Sequence, residues 1–215
     1  MAARPSRAER AHLTREQILD TAERLFAEHG VFAVSNRQIS EAAGQGNTAA
    51  VGYHFGTKTD LVRALIRRHA VQTEVLRCRM VAAAEGATDV RTWVSCLVRP
   101  VTDHLAELGG PTWYARFGAQ VMADPVLREV MSEEALSTPC LQRIITELDR
   151  CLPHVPAEVK EERDRMAGLL IVHVCAERER ALADDSPTPR ATWQEAGSGL
   201  VDALVGLWTA PTTTR

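Results

Sequence analysis

The run from Thr14 to His69 constrains the fold more than any other part of the chain. Its apolar residues recur at helical spacing, in pieces too short to be stable helices on their own. Thr14 and Gln17 have capping-box spacing, and Ile18, Ala22, Leu25 and Phe26 share one face, so a first helix is expected from near Thr14 to Gly30. Ser35 is placed to cap a second helix, whose buried stripe of Ile39, Ala42 and Ala43 halts at Gly44. After the turn Gly44-Gln45-Gly46, Asn47 or Thr48 can cap a third short helix through His54. Two short helices around a glycine turn read as a helix-turn-helix.

The second helix of such a unit is narrow enough to enter the major groove of double-stranded DNA, where base edges display distinguishable donors, acceptors and methyl groups. Small residues at Ala49, Ala50 and Gly52 permit close approach, and Tyr53, His54, Thr48 and Asn47 offer hydrogen-bonding groups. Arg37 on the second helix can reach a guanine or a phosphate, or else remain solvated. The alternative for Tyr53 and His54 is packing between the third helix and the fourth. Charge agrees modestly: residues 1–70 carry ten Lys and Arg against seven Asp and Glu, a net +3, whereas the remainder carries −6. Arg4, Arg7 and Arg10 sit in a Pro-containing stretch expected to be a flexible basic arm over residues 1–13 that can follow a groove or phosphates, a disordered tail with no role being the alternative.

Ile39-Ser40-Glu41-Ala42-Ala43-Gly44, then Tyr53-His54-Phe55-Gly56-Thr57-Lys58, then Asp60-Leu61-Val62, resembles the signature of the TetR family of repressors over the first third of the chain. The resemblance implies an all-α protein, with a helix-turn-helix DNA-binding domain (14–58) followed by a larger helical domain (59–215) for effector binding and dimerisation. It also implies a homodimer on a palindromic operator. By position, Ser35, Arg37, Thr48, Tyr53, His54 and Lys58 match family places that commonly meet DNA, with Lys58 the expected phosphate anchor. The chain departs from the pattern in its reading head, which has one residue more than most members between Ala43-Gly44 and His54-Phe55. Gly52 also stands where the family usually has a tyrosine.

Beyond the head the chain reads as helical throughout, with breaks at Gly86, Gly109-Gly110-Pro111, Pro153 to Pro156 and Pro187 to Pro189. Helix four is expected over 59–84, joining the two domains. Helix five, from Thr88, carries Trp93, Leu97, Val101, Leu105 and Leu108 on one face with Pro100 in its middle. Asp124-Pro125 supplies an N-cap and an N1 proline for a later helix. A kinked helix near aromatic residues can leave an apolar cavity, so Trp93, His104, Trp113 and Tyr114 are effector-pocket candidates, together with Phe117, Met122, Met166 and His173. Ordinary core packing is the alternative for each of them. An apolar or aromatic small molecule is the expected effector.

The segment Met166–Ala176 is apolar nearly all round, which suggests burial against both the core and a partner. Leu170 and Val174, with Trp193, Leu200, Leu204 and Leu207 of the last helix, are the expected dimer interface, a wholly internal helix pair being the alternative. Cys78, Cys96, Cys140, Cys151 and Cys175 show no zinc-type spacing and read as reduced packing residues, with redox sensing the less favoured alternative. The chain shows no phosphate loop, metal-ligand cluster or nucleophile motif, so no catalysis, metal or cofactor is expected. No apolar run approaches the ~18 residues of a membrane span, and a cytoplasmic protein is expected. Control by a protein partner, or action as an activator, is the other regulatory reading.

Overall fold

The computed structural model describes residues 6–212. These form ten α-helices and no strand: α1 (Arg7–His29), α2 (Asn36–Ala42), α3 (Ala50–Phe55), α4 (Lys58–Ala83), α5 (Val90–Leu108), α6 (Tyr114–Ala123), α7 (Pro125–Leu136), α8 (Pro139–Cys151), α9 (Ala157–Ala183) and α10 (Trp193–Thr209). No helix among the described residues is long and apolar enough to cross a membrane.

Most boundaries follow from local chemistry. Ser35 with Gln38 and Thr57 with Asp60 close capping boxes on α2 and α4, and Asp124 accepts the Leu127 N–H ahead of Pro125 on α7. Gly30 ends α1 at φ 89°, a conformation costly for a residue with a Cβ. Pro100 lies inside α5 as expected.

Three local expectations are corrected. The first helix starts at Arg7, because Ser6 and Glu9 form their own capping box and the good helix formers Arg10, Ala11 and Leu13 carry the helix on to Thr14. Residues 7–13 are therefore helical, while Arg4 lies outside the described residues. Neither Asn47 nor Thr48 caps α3; Asn47 Oδ1 instead accepts the Ala49 N–H at 2.9 Å, and α3 starts without a side-chain cap. A further break separates α7 from α8 at Thr138-Pro139, where proline takes the first helical position.

Two apolar cores organise the molecule. The first joins Ile18, Leu19, Phe26, Ile39 and Val51 of the head and Leu61 and Leu65 of α4 to Phe117, Val121, Leu127 and Val130 of α6 and α7. The rings of Phe26 and Phe117 stack at 6.2 Å. The second gathers Trp93, Val94, Val98 and Leu105 of α5 with Ile144, Ala167, Cys175, Leu200, Leu204 and Trp208. α4 belongs to both, through Leu61, Val62 and Leu65 at one end and Met80 and Val81 at the other. It is also tied sideways, by Arg63 and Arg67 to Glu134 of α7 at 2.6 and 2.7 Å. Cys78 and Cys140 form a disulfide joining α4 to the first turn of α8, which corrects the expectation of five reduced cysteines. Their separation of 62 residues leaves no local spacing signal.

Candidate nucleic-acid interface

α2 and α3 are held together from beneath. Ile39, Ala50 and Val51 are buried, and the buried Ser40 hydroxyl donates to the Asn36 carbonyl at 3.1 Å while accepting the Val51 N–H at 3.4 Å. One small polar residue thus fixes the crossing of the two helices. The outer face of α3 is left open: Thr48, Ala49 and Gly52 are exposed, and Tyr53 is 79% exposed. An added Cβ at Gly52 would meet nothing within 4 Å.

The candidate contact residues divide by freedom. Tyr53 projects outward with its ring edge-on to half-buried His54 at 5.0 Å. Thr48 is exposed on the turn before α3, and Asn47 is exposed but engaged in its own turn. Ser35 is exposed with its hydroxyl in the α2 cap. Arg37 is exposed and paired with Glu41 one turn on, at 2.7 Å.

Lys58 departs most from expectation. Its ammonium donates to the carbonyls of Val31 and Val34 at 3.1 and 2.5 Å, so the expected phosphate anchor instead braces the α1–α2 turn against the start of α4. Partial burial pushes its pKa down. The α1–α2 turn carries carbonyls with no helical partner, a requirement that spacing in the sequence does not reveal.

Basic residues also lie on α1, among them Arg15, which the sequence did not single out, and Arg7 and Arg10 of the expected arm. Arg15 sits 4.8 Å over the Phe55 ring at the end of α3, and Gln17 meets Gln45 of the recognition turn at 3.3 Å. The first turns of α1 therefore extend past the recognition turn. They carry Arg7 and Arg10, for which no ion pair is found among the described residues.

The eight effector-pocket candidates do not converge on one cavity. Trp113 and Phe117 join the head core, whereas Trp93 lies in the second core with its indole N–H on the Ala87 carbonyl at 3.1 Å. Met122 is half-buried on α6, and Met166 and His173 are exposed on α9. Helical periodicity marks a face but not the faces that meet it.

His104 and Tyr114 do meet, around a residue the reading missed. His69 of α4 stacks on the Tyr114 ring at 3.9 Å, its Nδ1 lies 2.8 Å from His104 Nε2, and its Nε2 lies 2.9 Å from the Glu23 carboxylate of α1. Arg68 closes the chain onto the same carboxylate and onto Asp20. Burial and the neighbouring His69 push the His104 pKa down to about 4. Burial raises the Glu23 pKa, but the hydrogen bond and charge of His69, with the Arg68 guanidinium, outweigh it and hold the carboxyl below its ordinary value. A neutral His104 leaves one proton on the His69–His104 edge, while His69 donates to Glu23. This relay crosses α1, α4 and α5 at the junction of the two cores. Its members are 35 and 46 residues apart, so no motif announces it.

Close by, Leu105, Thr112, Glu179, Leu182 and Trp193 line an open cavity of about 520 Å³. The buried Glu179 accepts hydrogen bonds there from the Thr112 hydroxyl and the amides of Ala115 and Arg116.

The expected dimer residues also divide. Leu200 and Leu204 are buried inside the chain, where α10 lies so close to α5 that a Cβ on Gly197 would stand 2.6 Å from Thr102 Oγ1. They are core residues of the single chain, which corrects their assignment to the dimer interface. Leu170 and Val174 are half-buried beside a groove of about 370 Å³ between α9 and α10. Trp193 lies beneath Arg178 at 5.0 Å, and Leu207 is half-buried.

Two family models match this chain. One described as bacterial regulatory proteins of the tetR family covers residues 18–65, and one described as a tetracyclin repressor-like C-terminal domain covers residues 95–206. The HTH-type transcriptional repressor AcnR of Corynebacterium glutamicum is 41% identical over 59 residues, 27% of this chain and 31% of that protein. The AcnR of Corynebacterium efficiens matches to the same extent, so the chain spans about a third of the length of these curated relatives. Among solved structures, a protein assigned to the tetR family from Shewanella sp. PV-4 has a TM-score of 0.59 at 17% identity, covering 94% of this chain and 99% of that one. The multidrug binding protein EbrR, complexed with malachite green, has a TM-score of 0.51 at 20% identity, covering 94% and 98%. These likenesses extend to the fold.

Proposed function

The chain belongs to the TetR family of bacterial regulatory proteins, DNA-binding transcriptional regulators rather than enzymes, and from that premise we propose that it is a homodimeric repressor released from a palindromic operator by a small apolar or aromatic ligand. The observation that carries this reading is the open outer face of α3, with Tyr53 projecting from a helix whose other face is fixed by Ile39, Ser40 and Val51. Residues 14–58 read the DNA, and residues 59–215 bind the effector and pair the subunits. Tyr53, His54, Thr48, Asn47 and Arg37 face base edges, while Ser35, Arg7 and Arg10 meet phosphates. Lys58 supports the head from behind.

Pairing uses the outer surface of α9 and α10. Met166 and His173 are exposed there beside half-buried Leu170 and Val174, and the small exposed Ala203 and Gly206 allow close helix approach. Two heads must lie ~34 Å apart to enter successive major grooves on one side of the duplex.

An effector entering the cavity beside Leu105 and Trp193 would press on the loop that leads to Tyr114, and so on the relay that joins α5 to α4 and α1. A coupling of ~3 kcal/mol between ligand and operator suffices for a ~150-fold release, and operator DNA must then weaken ligand binding by the same factor. EbrR, with its malachite green, is a precedent in the same fold for an aromatic ligand.

The test is fluorescence anisotropy of the purified protein against DNA flanking its own gene, at two salt concentrations, with unrelated competitor and with a panel of aromatic cations and neutral aromatics. Sedimentation of the complex counts the subunits. Tight binding that survives competitor, two chains per site, and release by one ligand class are expected. Binding that vanishes with moderate salt, or one chain per site, would overturn the reading.

A further inference from the structure

We infer that Cys78 and Cys140 are a peroxide-oxidisable dithiol whose disulfide clamps α4 to α8. Three observations converge on it. The two residues stand at a Cα–Cα distance of 5.3 Å, within bonding range, on helices that meet only in the tertiary fold. Both are partly exposed, and Cys78 lines a largely apolar groove of about 600 Å³ with Val71, Val75 and Thr138, so a small oxidant reaches the pair from solvent. Glu74 is poised beside them, its Oε1 accepting the Cys140 amide at 2.7 Å and lying 3.7 Å from Cys78 Sγ.

Of the three remaining cysteines, Cys151 is half-buried at the end of α8 with its Sγ 3.4 Å from the Thr88 carbonyl and is not paired with another cysteine, and the other two are closed off from solvent. Cys96 and Cys175 are buried in the second core, and burial pushes the Cys175 thiol up to about 12, which keeps it protonated and inert. A metal is the weaker reading of Glu74, Cys78 and Cys140, because the carboxylate is already engaged by the Cys140 amide and by Arg77 at 2.8 Å.

The chemistry balances with a hydroperoxide as oxidant. Cys140, in the first turn of α8, gives its proton to solvent and attacks the terminal peroxide oxygen as the thiolate. The O–O bond breaks, an S–O bond forms, and the leaving alkoxide takes a proton from solvent and departs as the alcohol. Cys78 then gives its proton to Glu74 and attacks the Cys140 sulfur. The S–S bond forms, and the departing hydroxide takes that proton to leave as water. Two thiols and one hydroperoxide give one disulfide, one alcohol and one water.

The consequence lies in α4. Arg63 and Arg67 already tie this helix to Glu134, and the disulfide adds a covalent tie about 16 Å further along it, at 1.5 Å per residue from Arg67 to Cys78. Compartments that hold DNA-binding proteins keep thiols reduced, so a disulfide there is transient and informative. Its effect on operator affinity rests on the repressor reading above; the clamp itself does not.

The test uses the full chain, reduced and desalted, then titrated with hydrogen peroxide. Alkylation with peptide mass mapping follows the thiols, and hydrogen exchange follows α4 and the first turn of α8. Peroxide should join the Cys78 and Cys140 peptides while Cys96 and Cys175 still alkylate only after unfolding, and dithiothreitol should reverse the link. Exchange across residues 70–83 should slow at least several-fold on oxidation, and Cys78→Ser should show neither link nor slowing. Thiols at 78 and 140 that remain free under peroxide would overturn the inference, as would a link that leaves α4 exchange unchanged, or slowing that persists in Cys78→Ser.

Discussion

Acidification should destabilise this protein through His104 before the carboxylates respond. His104 is 4% exposed, hydrogen-bonded to His69, within reach of the charge of Glu23 from α1, and edge-on to the Tyr114 ring of α6. Its pKa falls from the ordinary 6.5 to about 4 on folding. A folded pKa below the unfolded one means that the unfolded chain takes up the proton first. The stability that His104 contributes is therefore complete above the unfolded value and is lost as pH falls from there toward the folded one. Between pH ~7 and ~5 this amounts to about 1–2 kcal/mol. Glu23, whose pKa is lowered, loses its contribution only as pH falls through its ordinary 4.5 and below, so it adds little in that window. Urea unfolding at fixed protein concentration, followed by tryptophan fluorescence at several pH values, measures the slope. His104→Gln should lower stability at neutral pH but flatten the dependence by about that amount, equivalent to ~2–8 °C in Tm for a chain of this size. Equal slopes for the wild type and His104→Gln would refute the reasoning.

Other outcomes follow from packing and exposure. Gly197→Ala places a Cβ 2.6 Å from Thr102 Oγ1 and should cost about 1–3 kcal/mol in urea unfolding. Lys58→Ala strips two carbonyls of their donor, so its Tm should fall even without DNA, by an amount equivalent to about 1–3 kcal/mol; an unchanged Tm with weakened DNA binding would restore the phosphate-anchor role. Tyr53→Ala removes a side chain that is 79% exposed, so it should leave Tm unchanged while weakening specific DNA binding about tenfold in anisotropy titrations.

Most helix ends were legible because caps are local chemistry. Ser35 with Gln38 and Asp124 with Pro125 act within a few residues of themselves, and each closes as its spacing requires. Where the reading went astray, a competing local signal had won. Ser6 with Glu9 outranked Thr14 with Gln17, and Asn47 preferred a turn to a cap. The outward face of α3 was legible for the same reason, since short helices around a glycine turn leave little choice of what is turned outward.

Amino-acid order by itself determined an all-helical chain with a helix-turn-helix head, because helical periodicity, caps and turn glycines are decided within a few residues of one another. Tertiary structure alone decided what those helices do to each other. It set Lys58 on the Val31 and Val34 carbonyls, turned Leu200 and Leu204 inward against α5, and dispersed the aromatic residues that looked like one pocket. It also assembled Glu23, His69 and His104 into one relay and brought Cys78 to Cys140. These pairings join residues far apart in the chain, and side-chain spacing along one helix carries no information about which face of another helix will meet it.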